Sequence, residues 1–308
     1  MNNFTNKLYI LTEHNKTYQQ LLLEHALPDL EITETAAEAD IVLAAPPLVA
    51  QRLNEFTKLD WLQSTYAGIN TLISSELRQD YTLTNVRGIF GPLIAEYVLG
   101  YSISHYRHFQ HYHQQQAQKQ WQPQLYQSLN GRTMVILGTG SIGSHLAKVA
   151  QAFDLKAIGV NRTGIPPNQT SFDSTYHINE AHVALKQADI IVNTLPSTAQ
   201  TNRLLDGELL SHCQGALLFN VGRGSTLDEA GLLLALKNRW VEHAFLDVFE
   251  NEPLAKEHPF WGLPQITITP HIAALSEPCQ VVEIFANNYL SWRDGFQLKH
   301  QIDFDKGY

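Results

Sequence analysis

Three short segments carry side chains whose types and spacing could do chemistry together. Asn220-Val221-Gly222-Arg223-Gly224 sets a guanidinium between two glycines. There the backbone can come close to a ligand while the arginine grips a carboxylate through two parallel bonds. Asp247-Val248-Phe249-Glu250-Asn251-Glu252-Pro253 offers an aspartate able to accept a bond from a carboxamide, such as that of nicotinamide. It also offers two glutamates, and either Glu250 or Glu252 could orient and charge a histidine. Ile268-Thr269-Pro270-His271-Ile272 places one of 14 histidines directly behind an apolar run, after a proline that restricts its approach. Numbers alone make any one histidine a poor choice for acid–base work. The strand-end position is what singles out His271.

A fourth segment, Gly138-Thr139-Gly140-Ser141-Ile142-Gly143, follows the apolar run Thr133–Leu137. It opens a stretch with apolar residues at Ile142, Leu146, Val149, Ala150 and Phe153, spaced like a helix. Strand, glycine-rich turn and helix together form a dinucleotide fingerprint. The first glycine permits the tight turn, the second lets backbone approach a pyrophosphate, and the third lets helix and strand pack closely. About 20 residues on, where an acidic side chain would hold the ribose of NAD, the strand Lys156–Val160 runs into Asn161-Arg162-Thr163. Two neutral donors and an arginine there point to NADP(H) over NAD(H), because the guanidinium can form charge-assisted bonds to a phosphate.

These segments need a frame. A chain of 308 residues has room for two domains. With 44% hydrophobic and 17% charged residues it reads as a globular protein with a full core. In residues 1 to about 86, Leu8–Leu11, Ile41–Ala44 and Trp61–Ser64 read as buried parallel strands. Tyr18–Leu23 and Leu48–Phe56 read as helices between them. Gly91–Leu99 is apolar on nearly every face, which predicts a helix buried on all sides between two domains, with Glu96 a paired structural carboxylate. From 131 to 270 strands are predicted at Lys156–Val160, Asp189–Asn193, Ala216–Asn220, Val241–Leu246 and Ile266–Thr269, with helices between most of them. A last helix at about 277–293 should return to the N-terminal unit. The expected fold class is α/β, with two doubly wound parallel-sheet domains and ligands at the carboxyl ends of the strands.

Other functions are disfavoured. A net charge of −9 argues against nucleic acid or an anionic membrane as partner. His105, His108, His111 and His113 share helix faces, but no cysteine or carboxylate accompanies them, so no metal site is expected. Residues 105–127 read instead as a solvated helix leading into a linker or subunit-contact arm. Cys213 and Cys279 are too few for a disulfide framework. No apolar run approaches the ~20 residues of a membrane span, and the first seven residues lack a signal peptide's pattern. The expected compartment is the cytoplasm.

Taken in order, Gly138-x-Gly140-x-x-Gly143, Val-Gly-Arg223-Gly, Asp247 with Glu252-Pro253, and Thr269-Pro270-His271 resemble the D-isomer-specific 2-hydroxyacid dehydrogenases. Gln63-Ser64-Thr65-Tyr66-Ala67-Gly68-Ile69-Asn70 is similar to that family's substrate-carboxylate loop, and Asn193-Thr194-Leu195-Pro196-Ser197-Thr198 to its cofactor-contacting loop. The resemblance covers essentially the whole chain and looks most like the glyoxylate/hydroxypyruvate reductase branch. It implies a Rossmann cofactor domain (98–277) inserted into a flavodoxin-like substrate domain (1–97 and 278–308), with two hinges and a cleft. It implies Arg223 as substrate ligand, His271 as acid/base and Glu252, the glutamate before proline, as the histidine's partner. Cofactor contacts are expected from Gly138, Gly140, Ser141, Ile142, Gly143, Asn161, Arg162, Thr163, Leu195, Pro196, Thr201, Val221, Gly222, Asp247 and His271. Substrate contacts are expected from Tyr66, Ala67, Gly68 and Arg223. The implied reaction is NAD(P)H-dependent reduction of a small 2-oxo acid to the D-2-hydroxy acid, in a homodimer. Phosphoglycerate or D-lactate dehydrogenases share the pattern, as do non-catalytic corepressors that sense the dinucleotide. A formate dehydrogenase would carry glutamine in place of Glu252.

Overall fold

Runs such as Ile41–Ala44 and Ile190–Asn193 leave no polar side to face water, so they fold as strands covered on both faces. A computed structural model describes residues 5–168 and 170–304. The chain divides into two compact units, Met1–Ile89 with Ser276–Tyr308, and Phe90–Leu275.

In the first unit, β1 (Asn6–Leu11), β2 (Leu30–Ile32), β3 (Ile41–Ala44), β4 (Trp61–Ser64) and β5 (Thr82–Thr84) form a parallel sheet in the order β2-β1-β3-β4-β5. That is the flavodoxin-like order. Helices α1 (Asn15–His25) and α2 (Pro46–Ala50) lie in the connections. The predicted helix over 48–56 is only a short α2 followed by a 3₁₀ turn at Leu53–Glu55. The C-terminal helix Pro278–Arg293 does return to this unit. Its Phe285 stacks on Trp61 with ring centroids 5.1 Å apart, and the Tyr289 hydroxyl donates to the Pro28 carbonyl at 2.7 Å.

The second unit opens with α3 (Phe90–Tyr106) and α4 (Phe109–Ala117). Strands β6 (Thr133–Leu137), β7 (Lys156–Asn161), β8 (Ser174–His177), β9 (Ile190–Asn193), β10 (Ala216–Asn220), β11 (Val241–Leu246) and β12 (Ile266–Ile268) follow. Helices α5 (Ser141–Ala152), α6 (Ala181–Leu185), α7 (Gly207–Leu210) and α8 (Glu229–Lys237) cover the sheet. The sheet order β12-β11-β10-β9-β6-β7-β8 is parallel throughout. It is the Rossmann order with one strand added beyond β11. One apolar layer, with Val135, Ile158 and Leu218, lies on one face, and another, with Ile136, Val192 and Phe219, on the other.

Two expectations change. The helix expected at Gly91–Leu99 runs on to Tyr106, and all of it belongs to the second unit; a boundary at residue 97 would cut through it. Its buried residues include Phe90, Ile94, Val98, Ser102 and Tyr106, which repeat every four positions on one face. Glu96 lies on the other face, exposed and with no partner among the described residues, so it is not a paired structural carboxylate. Where α3 meets α5, a side chain at Gly91 would press on His145 Cβ at 2.7 Å, which accounts for a glycine inside a helix.

Candidate active site

The glycine fingerprint lies between β6 and α5, and its three glycines do three different things. Gly138 has φ +102°, a conformation that disfavours any side chain. A Cβ at Gly143 would fall 2.0 Å from the Gly138 carbonyl oxygen, so the third glycine lets the helix sit against the turn. A Cβ at Gly140 would meet nothing within 4 Å. The open side of the turn is at Gly140, directly before the N-terminus of α5, which has no side-chain cap. Uncommitted N–H groups at a helix start suit an anion, and the cradle fits a dinucleotide pyrophosphate. Ser141 and Ile142 are the first residues of that helix.

The end of β7 carries Asn161 and no carboxylate, but Asn161 is not a free donor. Its amide nitrogen donates to Thr139 Oγ1 at 2.9 Å and to the Ile165 carbonyl at 2.8 Å. Its oxygen accepts from the backbone of Thr163 at 3.0 Å and Gly164 at 2.7 Å. Asn161 therefore shapes the turn and ties it to the glycine loop, with Arg162 and Thr163 exposed on it.

The loop after β9 shows the same division between holding the frame and facing a ligand. Thr201, expected at the cofactor, is 6% exposed; its hydroxyl donates to the Pro196 carbonyl at 2.6 Å and accepts from the Thr198 backbone at 2.9 Å. Leu195 is buried and Pro196 exposed. A Cβ at Gly222 would lie 2.7 Å from the Leu195 carbonyl oxygen, and one at Gly224 would lie 1.9 Å from the Phe249 carbonyl carbon. The glycines around Arg223 thus admit neighbouring backbone rather than a ligand. Val221 stands half-buried before them.

Arg223 follows β10. Its carbonyl accepts from Thr226 Oγ1 at 2.6 Å and from Asn220 Nδ2 at 3.2 Å, which sets the backbone. The guanidinium donates to the Gly222 carbonyl at 2.6 Å and has no carboxylate within 4 Å among the described residues. Desolvation holds it below the usual arginine value, while the nearby Glu252 acts in the opposite direction. A partly buried cation without a carboxylate suits an anionic ligand.

The two glutamates separate by geometry. Glu250 lies 3.9 Å from Arg203. Glu252 accepts the Phe249 N–H through Oε1 at 2.8 Å and meets His271 Nδ1 through Oε2 at 2.8 Å. A carboxylate only accepts, so Nδ1 carries the proton in this pair and Nε2 is left to exchange one. His271 has φ +55°, unusual for a residue other than glycine.

Asp247 holds that conformation. Its carbonyl accepts the His271 N–H at 2.9 Å. Its carboxylate accepts from Thr269 Oγ1 at 2.6 Å, Ile272 N at 2.8 Å and Ala273 N at 3.0 Å. The expected carboxamide acceptor is therefore also the anchor of the histidine loop, and it is 2% exposed. Sequence reasoning passed over Thr269 in this role; the only signal was a hydroxyl residue just beyond a strand, two positions before the histidine.

In the first unit, Ser64 Oγ donates to the Tyr66 carbonyl at 2.9 Å, and Asn85 Nδ2 donates to the Ala67 carbonyl at 2.7 Å. The N–H groups of Ala67 and Gly68 have no partner among the described residues. The histidines of α3, of α4 and of the turn between them disperse: His105 faces Glu242 at 3.3 Å, His108 the Leu125 carbonyl, and His111 Gln115. No group of three metal-ligating side chains occurs among the described residues.

The sequence model described as "D-isomer specific 2-hydroxyacid dehydrogenase, NAD binding domain" matches residues 99–273, more than half of the chain. The chain belongs to the D-isomer specific 2-hydroxyacid dehydrogenases. A structure of a family member from Aeromonas salmonicida subsp. salmonicida A449 is 43% identical, with a TM-score of 0.93, over 98% of this dehydrogenase and 100% of that chain. A glyoxylate/hydroxypyruvate reductase A from Serratia proteamaculans is 35% identical over 215 residues, 69% of this chain and 68% of the relative. A D-isomer specific 2-hydroxyacid dehydrogenase from Xanthobacter autotrophicus Py2, solved with NADPH and MES, is 25% identical with a TM-score of 0.87, over 99% and 100% of the two chains. The matched region is the family's dinucleotide domain, so the dehydrogenase is an NAD(P)-dependent oxidoreductase. No described helix is long and apolar enough to cross a membrane.

Proposed function

We propose that this dehydrogenase reduces a small 2-oxo acid of the glyoxylate/hydroxypyruvate type to the D-2-hydroxy acid, with NADPH as the preferred reductant. The observation that carries the reading is the 2.8 Å pairing of Glu252 with His271 Nδ1, in the same unit as an arginine with no carboxylate partner. Arg223 takes the substrate carboxylate and draws electron density toward the carbonyl oxygen. Tyr66, Ala67 and Gly68 keep their assignment to the substrate, through the N–H groups of Ala67 and Gly68. When bound, the dinucleotide would supply a hydride to the carbonyl carbon. His271 transfers a proton from Nε2 to the carbonyl oxygen while Nδ1–H stays on Glu252. The carboxylate of Glu252 accepts from Nδ1 and so fixes the ring.

Gly138, Gly140, Ser141, Ile142 and Gly143 would hold the pyrophosphate. Arg162 and Thr163 would meet the 2′-phosphate, on a turn shaped by Asn161. Pro196 and Val221 are assigned to the dinucleotide, over a loop set by Leu195, Thr201 and Gly222. Asp247 keeps its assignment to the carboxamide in addition to its hold on the loop.

We also propose a homodimer, supported by Trp121 at 96% and Leu125 at 95% exposure in the segment after α4. A cytoplasmic setting is supported by free Cys213 and Cys279. Steady-state kinetics on a panel of 2-oxo acids with each dinucleotide tests the reading. Turnover of glyoxylate or hydroxypyruvate, faster with NADPH, is expected; turnover confined to D-lactate or phosphoglycerate chemistry would reject the substrate class.

A further inference from the structure

His271 occupies a backbone conformation that its residue type disfavours, so something must keep it there. Four hydrogen bonds run from residues 269–273 to Asp247 alone: from Thr269 Oγ1, His271 N, Ile272 N and Ala273 N. Asp247 is in turn fixed to the sheet, its own N–H bonded to the Asn220 carbonyl at 3.1 Å. One further bond reaches this cluster from a distant element. The Tyr97 hydroxyl of α3 lies 2.7 Å from Thr269 Oγ1.

The direction of that contact follows from counting protons. Thr269 has one hydroxyl proton, and the Asp247 carboxylate, 2.6 Å away, can only accept it. Tyr97 must therefore donate, and the chain runs Tyr97 to Thr269 to Asp247. A hydroxyl that accepts one bond becomes a better donor of the next. The Tyr97 ring is itself held, 4.8 Å from Tyr101 and 6.4 Å from Phe219 by ring centroids, with Phe219 on the interior strand β10. Burial keeps the tyrosine well above its ordinary value, so the donor stays protonated at any working pH.

We infer that Tyr97 and Thr269 are positioning residues for the proton donor: through Asp247 they hold the His271 loop in its left-handed conformation. The inference rests on His271 being the acid. Neither hydroxyl touches the ring of His271; both act through the backbone that carries it. A displaced imidazole slows proton delivery, and small displacements are costly to catalysis.

The test combines Thr269→Val, which keeps the shape and removes the hydroxyl, with Thr269→Ser and Tyr97→Phe. The substrate is glyoxylate and the reductant is NADPH, unlabelled or deuterated at the transferred position. Thr269→Val should lower kcat about tenfold and Tyr97→Phe about threefold, with Thr269→Ser restoring activity to within about twofold. The double variant should be no slower than Thr269→Val, since both changes break one chain. The deuterium isotope effect should rise in Thr269→Val as chemistry becomes rate-limiting. In the protein without nucleotide, backbone amide exchange should quicken at His271, Ile272 and Ala273 and nowhere else.

Unchanged kcat, isotope effect and exchange in Thr269→Val would overturn the inference. So would exchange that rises throughout the second unit, which would mean general destabilisation. If Thr269→Val does not fold, Tyr97→Phe decides by the same readouts. His271→Ala separates the layers: wild-type turnover in that variant removes the underlying reading, whereas its loss beside a normal Thr269→Val removes only the positioning chain.

Discussion

Replacing Asp247 by asparagine changes one oxygen to an NH₂ group and tests how the histidine loop is held. The carboxylate receives Thr269 Oγ1 and Ile272 N on Oδ1, and Ala273 N on Oδ2. Asparagine can keep at most one of these two positions as an acceptor. The less harmful placement sets its NH₂ against the Ala273 N–H and leaves a buried donor without an acceptor, which costs about 1–3 kcal/mol. The two remaining bonds lose their charge assistance, roughly another 1 kcal/mol each. Relief from burying a carboxylate returns part of this, on the order of 1–2 kcal/mol. The net expectation is about 2 kcal/mol of stability lost from the second unit. The left-handed backbone at His271, which itself costs about 1–2 kcal/mol, would then be free to relax. Urea unfolding should show the lower midpoint, and kcat for glyoxylate should fall by about two orders of magnitude. An Asp247→Asn protein with wild-type midpoint and kcat would refute the clamp. A raised Kd for NADPH with kcat preserved would instead favour the carboxamide role alone.

Three other outcomes are expected. In Glu252→Gln the 2.8 Å contact to His271 Nδ1 loses its charged acceptor, and kcat for glyoxylate should fall by about tenfold or more; an unchanged kcat would contradict the pairing. Arg162→Ala should weaken NADPH by about tenfold or more and leave NADH nearly unchanged, measured by nucleotide fluorescence; equal losses would end the phosphate assignment. His243, beside His105 and Glu242 and bonded to Thr267, is pushed down to about 4 by burial and by His105. Because the folded form resists protonation, its contribution is complete above about pH 6.5 and is lost as pH falls toward 4. With allowance for screening this is about 1 kcal/mol between pH 7 and pH 5, and His243→Gln should flatten the fall in urea midpoint over that range.

The elements most legible in the sequence are those buried on both faces. Strands β9 and β10 stand out because a central parallel strand is apolar along nearly its whole length, and β11 is marked by Val241 and Ala244–Leu246 around Glu242 and His243. Strand β8, Ser-Thr-Tyr-His, was not predicted, since a half-exposed edge strand carries no apolar run. Strands β2 and β5 have three residues each, too few for a period to show. In the site, residue type could nominate Asn161, Thr201 and Asp247 as polar groups near a ligand. It could not say that their hydrogen-bonding capacity is largely taken up by the loops themselves, because that depends on where neighbouring backbone N–H and C=O groups fall. Glu250 and Glu252 were equivalent as letters two positions apart. Only the path of the loop sets one near Arg203 and the other on His271. The left-handed turn at His271 had no sequence sign at all, since glycine or asparagine usually marks such a position.

On the proposed function His271, paired with Glu252, protonates a 2-oxo acid during reduction by NADPH. The most direct test is single-turnover reduction of glyoxylate by His271→Ala beside wild type, with NADPH affinity measured in the same samples. The expected result is a rate lower by several orders of magnitude with NADPH affinity nearly intact. Near-wild-type reduction by His271→Ala would contradict it.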